Sequence, residues 1–91
     1  MERLQQRRTK PLPPGVRSVA RPSRWGNPFH LTSEADRPEV MARYQQWLSQ
    51  RLEENPGFLE PLRGAAGLAC YCSLEVDCHA DIIIAALDDS A

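Results

Sequence analysis

The 91-residue chain has no apolar run long enough to span a bilayer, which requires about 20 residues. Its longest apolar run covers residues 82–87, a length that suits a buried helix or strand. The charged N-terminus is not followed by an apolar stretch of the kind found in secretory signals. We therefore expect no secretory signal and no membrane association.

Cysteine is also scarce, with three residues that all lie within residues 70–79. An odd number argues against the disulfide framework of small secreted domains, so we expect a cytoplasmic protein. The sequence lacks the glycine-rich phosphate loops of Walker and dinucleotide-binding proteins. It also lacks the H-x-E and P-C-x-x-C pair of zinc deaminases, so no motif assigns it to a known enzyme class.

A chain of this length forms one small domain, and 42% hydrophobic with 25% charged residues is typical of a globular one. The charge is unevenly distributed. Residues 1–30 carry seven basic residues and one acidic residue, whereas residues 31–91 carry four basic and eleven acidic residues. The basic segment is either a solvated tail or an edge that meets a phosphate-bearing ligand.

The order of predicted elements indicates a small single-domain α/β layer. Residues 1–15 are rich in proline and basic side chains, which predicts a mobile basic arm before a folded domain at 16–91. Residues 16–20 and 67–72 have the patterns of strands, and helices are predicted from Asp36 to Leu52 and from about Cys78 to Leu87. We expect two to three strands with at least one parallel pair, and two main helices. Residues 29–32 would supply the third strand; the alternative is a homodimer.

The stretch CYCSLEVDCH, residues 70–79, is the densest concentration of reactive side chains. Strand alternation places Cys70 and Cys72 on one face, and the following turn returns Cys78 and His79 to the carboxyl end of that strand. Cys78 would begin a helix, where the positive end of the helix dipole favours a thiolate. Three interpretations stay open. They are a metal site of Cys70, Cys72, Cys78 and His79 (or His30 as the fourth ligand), a metal-free pocket with a reactive cysteine, and cysteines that only fill the core.

The loop RPSRWGNPF, residues 21–29, offers guanidinium groups, a flat indole and backbone amides. We expect it to form one pocket with the cysteine loop, suited to a nucleotide or nucleic-acid phosphate. Alternative roles are packing for Trp25 and helix capping for Asp81. The candidate residues are Arg21, Ser23, Arg24, Trp25 and Asn27 for ligand binding, and Cys78, His79 and Asp81 for catalysis.

Three segments together resemble a small domain family of unknown function found in phage and bacterial proteins. They are VRSVARPSRWGNPF at 16–29, ARYQQWL at 42–48 and LRGAAGLACYCSLEVDCHADII at 62–83. The resemblance covers residues 16–88. The sequence departs from the family pattern at SLEVD, residues 73–77, between the second and third cysteines. This segment lacks the proline that is typical of the family there, and it is longer than the typical segment. The resemblance points to Arg21, Ser23, Arg24, Trp25, Gly26, Asn27, Pro28, Cys70, Cys72, Cys78, His79 and Asp81.

Two functional hypotheses follow. The first is a nucleotide-related or nucleic-acid-related pocket without a cofactor, which leaves open whether the protein is an enzyme; it requires a cavity that joins the two loops. The alternative is a non-catalytic interaction module, such as a phage protein that binds a host protein, stabilised by zinc. We also predict no disulfide between Cys70 and Cys72, dispensability of residues 1–13 for folding, a fold that persists in EDTA, and Cys78 as the most reactive thiol.

Overall fold

The computed structural model describes residues 1–21, 23–29 and 32–89. Within these residues the chain forms a small α/β domain with a parallel three-stranded sheet and two α-helices, which confirms the predicted fold class. Short 3-10 helices cover Glu34–Asp36 and Glu60–Leu62. The strands are β1 (Glu2–Gln5), β2 (Val16–Ser18) and β3 (Gly67–Cys70), and the helices are α1 (Arg37–Glu54) and α2 (His79–Asp89).

The sheet has the order β1-β3-β2, and both outer strands run parallel to β3. Glu2 and Val16 are both paired with Gly67, so the three strands start in register and end at one edge. All four residues of β3 are buried, as expected for the central strand of a parallel sheet. The carboxyl edge of the sheet is thus the place where β2 and β3 deliver the loops that follow them.

The prediction of a mobile arm at residues 1–15 is wrong for the first residues of that segment, because Glu2–Gln5 forms the third strand of the sheet. Pairing is close: a Cβ atom at Gly67 would lie 2.6 Å from the Glu2 carbonyl oxygen, so glycine allows β1 to approach. Arg3 further donates to the Asp81 carboxylate at 2.7 Å and to the Ser73 carbonyl at 3.0 Å. The other proposed third strand, residues 29–32, includes two residues outside the described part of the chain.

Helix α1 begins and packs much as its sequence predicts. Pro38 lies in its first turn, and the predicted stripe is buried at Val40, Tyr44 and Leu48. The Asp36 side chain does not cap the helix; it accepts a hydrogen bond from the Thr32 hydroxyl instead. Helix α2 buries Ala80, Ile83 and Leu87 and contacts α1, β1 and β3. No helix in the described residues is long and apolar enough to cross a membrane.

Candidate functional site

A cavity of about 370 Å³ opens where β2 and β3 end. This volume lies within the range of small-molecule sites, and the carboxyl edge of parallel strands is where such sites form in open α/β sheets. The cavity joins the RPSRWGNPF loop to the cysteine loop, with the start of α1 as a third wall. Its lining residues are Arg8, Ala20, Arg21, Asn27, Phe29, Arg37, Val40, Met41, Cys70, Tyr71, Cys72 and His79.

The cavity lining carries an excess of cationic side chains. Arg8, Arg21 and Arg37 contribute to it, and no Asp or Glu of the described chain does. A second cavity of about 440 Å³, between α1 and α2, has the opposite character: Asp81 and Asp89 line it, and none of its described lining residues is Arg or Lys. The electrostatic preference for an anion therefore belongs to the first cavity.

Arg37 is fixed in place at the first position of α1. Its Nε and Nη2 atoms donate to the Glu34 carboxylate at 2.8 and 2.9 Å, and its Nη1 donates to the Asp77 carbonyl at 2.6 Å. The same Nη1 lies 4.0 Å from Cys72 Sγ. The hydrogen bond from Arg37 lowers the pKa of the Glu34 carboxyl group. Arg37 thus holds the start of α1 against the cysteine loop.

The three cysteines are free and their sulfur atoms lie within 4.8 Å of one another. Cys70 and Cys78 are buried, whereas Cys72 is partly exposed. Hydrogen bonds from the Cys70 and Cys78 thiols, followed by burial and Arg37, act on Cys72, and the net effect lowers its pKa. Because they share protons with this thiolate, the pKa values of Cys70 and Cys78 are raised. Hydrogen bonding within the cluster therefore favours the thiolate form at Cys72 over the other two cysteines.

The expectation that Cys78 faces solvent at a helix start is wrong. Its side chain is 1% exposed and its Sγ lies 3.5 Å from His79 Nδ1. His79 Nε2 lies 2.7 Å from the Val19 carbonyl, which can only accept, so Nε2 carries the proton and the unprotonated Nδ1 is the atom that faces the Cys78 sulfur. Burial lowers the pKa of His79 and keeps the imidazole neutral. The turn before α2 thus folds Cys78 beneath the cavity, where Cys70 and Cys72 cover it.

Comparison with known protein families identifies the chain. Residues 3–89 match the family described as Domain of unknown function (DUF4326). The chain belongs to the DUF4326 family. No curated protein and no solved structure matches it. The expected membership in a family of unknown function is confirmed, whereas the phage or bacterial origin stays a prediction.

The RPSRWGNPF loop of this DUF4326 domain contributes fewer side chains to the cavity than predicted. Arg21 and Asn27 line it, but Ser23, Arg24 and Trp25 do not. Trp25 is buried in the core, where its Nε1 donates to the Phe58 carbonyl at 3.0 Å, and Arg24 lies over its ring at 4.7 Å. Packing, the alternative role considered for Trp25, is therefore what the structure shows.

Asp81 likewise shows the alternative role. Its Oδ2 atom accepts a hydrogen bond from the Cys78 backbone N–H at 3.2 Å, as a residue in the first turn of a helix does in a capping box. The same oxygen accepts from Arg3, and Asp81 is absent from the lining of the cationic cavity. Asp81 therefore holds the start of α2 and the edge strand together.

Several cavity-lining residues of the DUF4326 domain were not predicted from the sequence. The clustering of positive charge in residues 1–30 was a signal for Arg8, whereas nothing in the helix-start sequence singles out Arg37 as a cavity residue. Flat faces at the cavity come from Phe29 and Tyr71 rather than from Trp25. His30, considered as a metal ligand, lies outside the described residues.

Proposed function

We propose that the cationic cavity binds a small phosphorylated ligand of the nucleotide class. The observation that carries this proposal is the lining itself, which has three arginines and no carboxylate among the described residues. Guanidinium groups match phosphate oxygens in charge and in geometry. Arg8, Arg21 and Arg37 come from three different segments of the chain, so a phosphate group between them would be contacted from several sides.

The remaining lining suits the base of a nucleotide. Phe29 and Tyr71 offer aromatic faces, and Tyr71 is 46% exposed, so a planar ring has access to it. Base-on-aromatic stacking contributes about 1–3 kcal/mol per base. The acidic excess in residues 31–91 disfavours a long nucleic-acid strand, because acidic side chains repel its phosphates. A mononucleotide fits both the cavity volume of about 370 Å³ and the excess of arginine in the lining.

We assign binding and no reaction to this cavity. The expected catalytic group does not meet there, because Cys78 lies beneath the surface and Asp81 is directed toward Arg3. Of the three cysteines, Cys72 is the one that is both partly exposed and part of the cavity lining, and hydrogen bonds from Cys70 and Cys78 lower its pKa.

Isothermal titration calorimetry tests the proposal with pyrophosphate, adenosine 5′-monophosphate and adenosine as probes. We expect the two phosphorylated probes to bind and adenosine to bind much more weakly. Arg8→Gln should weaken phosphate binding about tenfold, the effect of losing a charge-assisted hydrogen bond of about 1.4 kcal/mol. The matched control is Arg17→Gln, an exposed arginine on β2 that does not line the cavity.

Two results would contradict the proposal. One is equal binding of adenosine and its monophosphate; the other is the same affinity in the Arg8 and Arg17 variants. Tighter binding of single-stranded oligonucleotides than of mononucleotides would assign the basic residues to a nucleic-acid surface instead.

A further inference from the structure

We propose that Cys70, Cys72 and Cys78 bind one thiophilic divalent cation, zinc in the cell, through three thiolates. This site does not rest on the proposed nucleotide binding, because its ligands are sulfur atoms; Arg37 is the arginine that the two proposals share. Three thiolates at the Zn–S distance of about 2.3 Å in a tetrahedral site lie about 3.8 Å apart. The three sulfurs, already within 4.8 Å of one another, are close to that arrangement before any ion binds.

Local structure explains why the sulfurs converge despite an unusual sequence spacing. Cys70 is the last residue of β3, Cys72 follows two residues later, and Cys78 directly precedes α2. The turn between Cys72 and Cys78 is held by Arg3, which donates to the Ser73 carbonyl, and by Arg37, which donates to the Asp77 carbonyl. Side chains from outside the loop thus fix both ends of the C-x5-C segment.

Each sulfur also has an N–H group beside it. The Cys72 backbone N–H donates to Cys70 Sγ at 3.4 Å, Arg37 Nη1 lies 4.0 Å from Cys72 Sγ, and the Ala80 backbone N–H donates to the Cys78 sulfur. Donors around a sulfur favour its ionised form, and such outer partners orient the ligands of metal sites. Three sulfurs that fill a core for packing alone would not need these donors.

The charges and atoms balance simply. Zinc forms three bonds to sulfur, and the thiol protons leave to solvent. Three thiolates and Zn²⁺ have a net charge of −1, and the Arg37 guanidinium, which also pairs with Glu34, lies 4.0 Å from Cys72 Sγ. Because Cys70, Cys72 and His79 all line the cavity, we expect the fourth coordination position of such an ion to face it. Zinc sites with three protein ligands keep such a position for water or substrate.

Cobalt(II) titration of the metal-free full-length chain tests the site. We expect one equivalent to produce sulfur-to-cobalt charge transfer and the visible bands of a tetrahedral site, and one equivalent of zinc to displace it. Zinc should also protect Cys72, the partly exposed thiol, from iodoacetamide. Cys72→Ser is the first variant to test, because Cys72 is the least buried of the three. The zinc affinity of this variant should fall by more than the about 10–100-fold decrease that follows the loss of a residue that contacts a metal ligand without binding the metal.

Control variants distinguish the loss of a metal ligand from a change in the residues around the metal site. Glu75→Gln changes an exposed carboxylate in the same loop and should leave zinc affinity unchanged, while Arg37→Gln should reduce it about 10–100-fold. Arg8→Gln should leave the cobalt spectrum unchanged, so each proposal can fail separately. Circular dichroism confirms that each variant is folded. The proposal is overturned if folded wild-type protein binds no cobalt, or if Cys72→Ser binds zinc as tightly as wild type. It is also overturned if the native thiols are joined as a disulfide.

Discussion

The hydroxyl group of Tyr44 connects α1 to the RPSRWGNPF loop, and its removal tests how the cavity wall is held. Tyr44 is fully buried and its hydroxyl donates to the Trp25 carbonyl at 2.7 Å. Burial raises the pKa of Tyr44, so the hydroxyl stays protonated and can donate. In Tyr44→Phe the ring remains, together with its contacts to Trp47 and His79 at centroid distances of 5.3 and 5.2 Å.

The size of the effect follows from what the substitution leaves behind. A net hydrogen bond contributes about 0.5–1.5 kcal/mol, but a buried acceptor left without a partner costs about 1–3 kcal/mol. Because the Trp25 residue is buried, we expect Tyr44→Phe to lower the free energy of unfolding by about 2 kcal/mol. At about 4–8 °C per kcal/mol for a domain of this size, Tm should fall by about 8–16 °C.

Urea denaturation followed by circular dichroism measures this change. The midpoint should shift while the m-value stays the same, since the surface exposed on unfolding is unchanged. Tyr71→Phe is the matched control: Tyr71 is 46% exposed, and its hydroxyl accepts from Gln6 Nε2 at 3.3 Å in contact with solvent. We expect that variant to lie within about 0.5 kcal/mol of wild type.

The reasoning is refuted if the two tyrosine variants lose the same stability, or if Tyr44→Phe loses less than about 0.5 kcal/mol. Either result would mean that the Trp25 carbonyl finds another partner and that α1 does not fix the loop through this bond.

Three further predictions follow from the site. In the presence of a metal chelator, Cys72 should be the first cysteine to react with iodoacetamide. Its reaction rate should stay nearly constant between pH 8 and 6, whereas the rate of a thiol with a pKa of about 8.5 falls about 80-fold over that range. Faster labelling of Cys78 would contradict this description of the cysteine cluster. Deleting residues 1–5 should lower Tm strongly, because β1 and its contacts complete the sheet. Arg3→Gln alone should lower the free energy of unfolding by about 1–2 kcal/mol. An unchanged Tm would mean that residues 1–5 are a mobile arm after all. Burial lowers the pKa of His79, so the contribution of the neutral imidazole to stability is fully present above the unfolded pKa of about 6.5. This contribution is lost as the pH falls below that value, by up to about 1.4 kcal/mol per pH unit. The urea midpoint of His79→Gln should therefore decline less than that of wild type between pH 7 and 5.5.

The elements with strong periodicity were predictable from sequence. The stripe of Val40, Tyr44 and Leu48 and the apolar residues of α2 identify both helices, since each buries one face. Strands β2 and β3 were also found, which placed the two loops at the carboxyl edge of the sheet. That edge is where the cavity lies, so the general location of the site could be derived from the pattern alone.

Other features depend on contacts that no local pattern reports. Strand β1 has the sequence ERLQ, whose single apolar residue, Leu4, gives no recognisable alternation. It forms because the exposed edge of β3 needs a partner and because Gly67 permits a close approach. Similarly, a cysteine before a helix is usually accessible, but Arg3 and Arg37 draw the preceding turn inward and bury Cys78. In both cases the local structure depends on an arginine or a strand that is distant in the sequence.

The charge of the cysteine cluster makes the relation between the two proposed sites testable. If Cys72 alone is ionised without metal, the charge of the cluster is −1; with zinc and three thiolates the net charge is again −1. Zinc should therefore not change pyrophosphate affinity through net charge. Since the fourth coordination position faces the cavity, we expect zinc-loaded protein to bind pyrophosphate more tightly by direct coordination.

Calorimetry with dialysed protein containing one equivalent of zinc, compared with metal-free protein and with Cys72→Ser, measures this difference. Zinc-free buffer prevents complexes of the probe with free metal. A gain that appears in wild type and is absent in Cys72→Ser would show that the ligand reaches the ion. Equal affinity in the metal-free and zinc-loaded proteins would contradict an open coordination position at the cavity, because no difference in net charge is available to mask it.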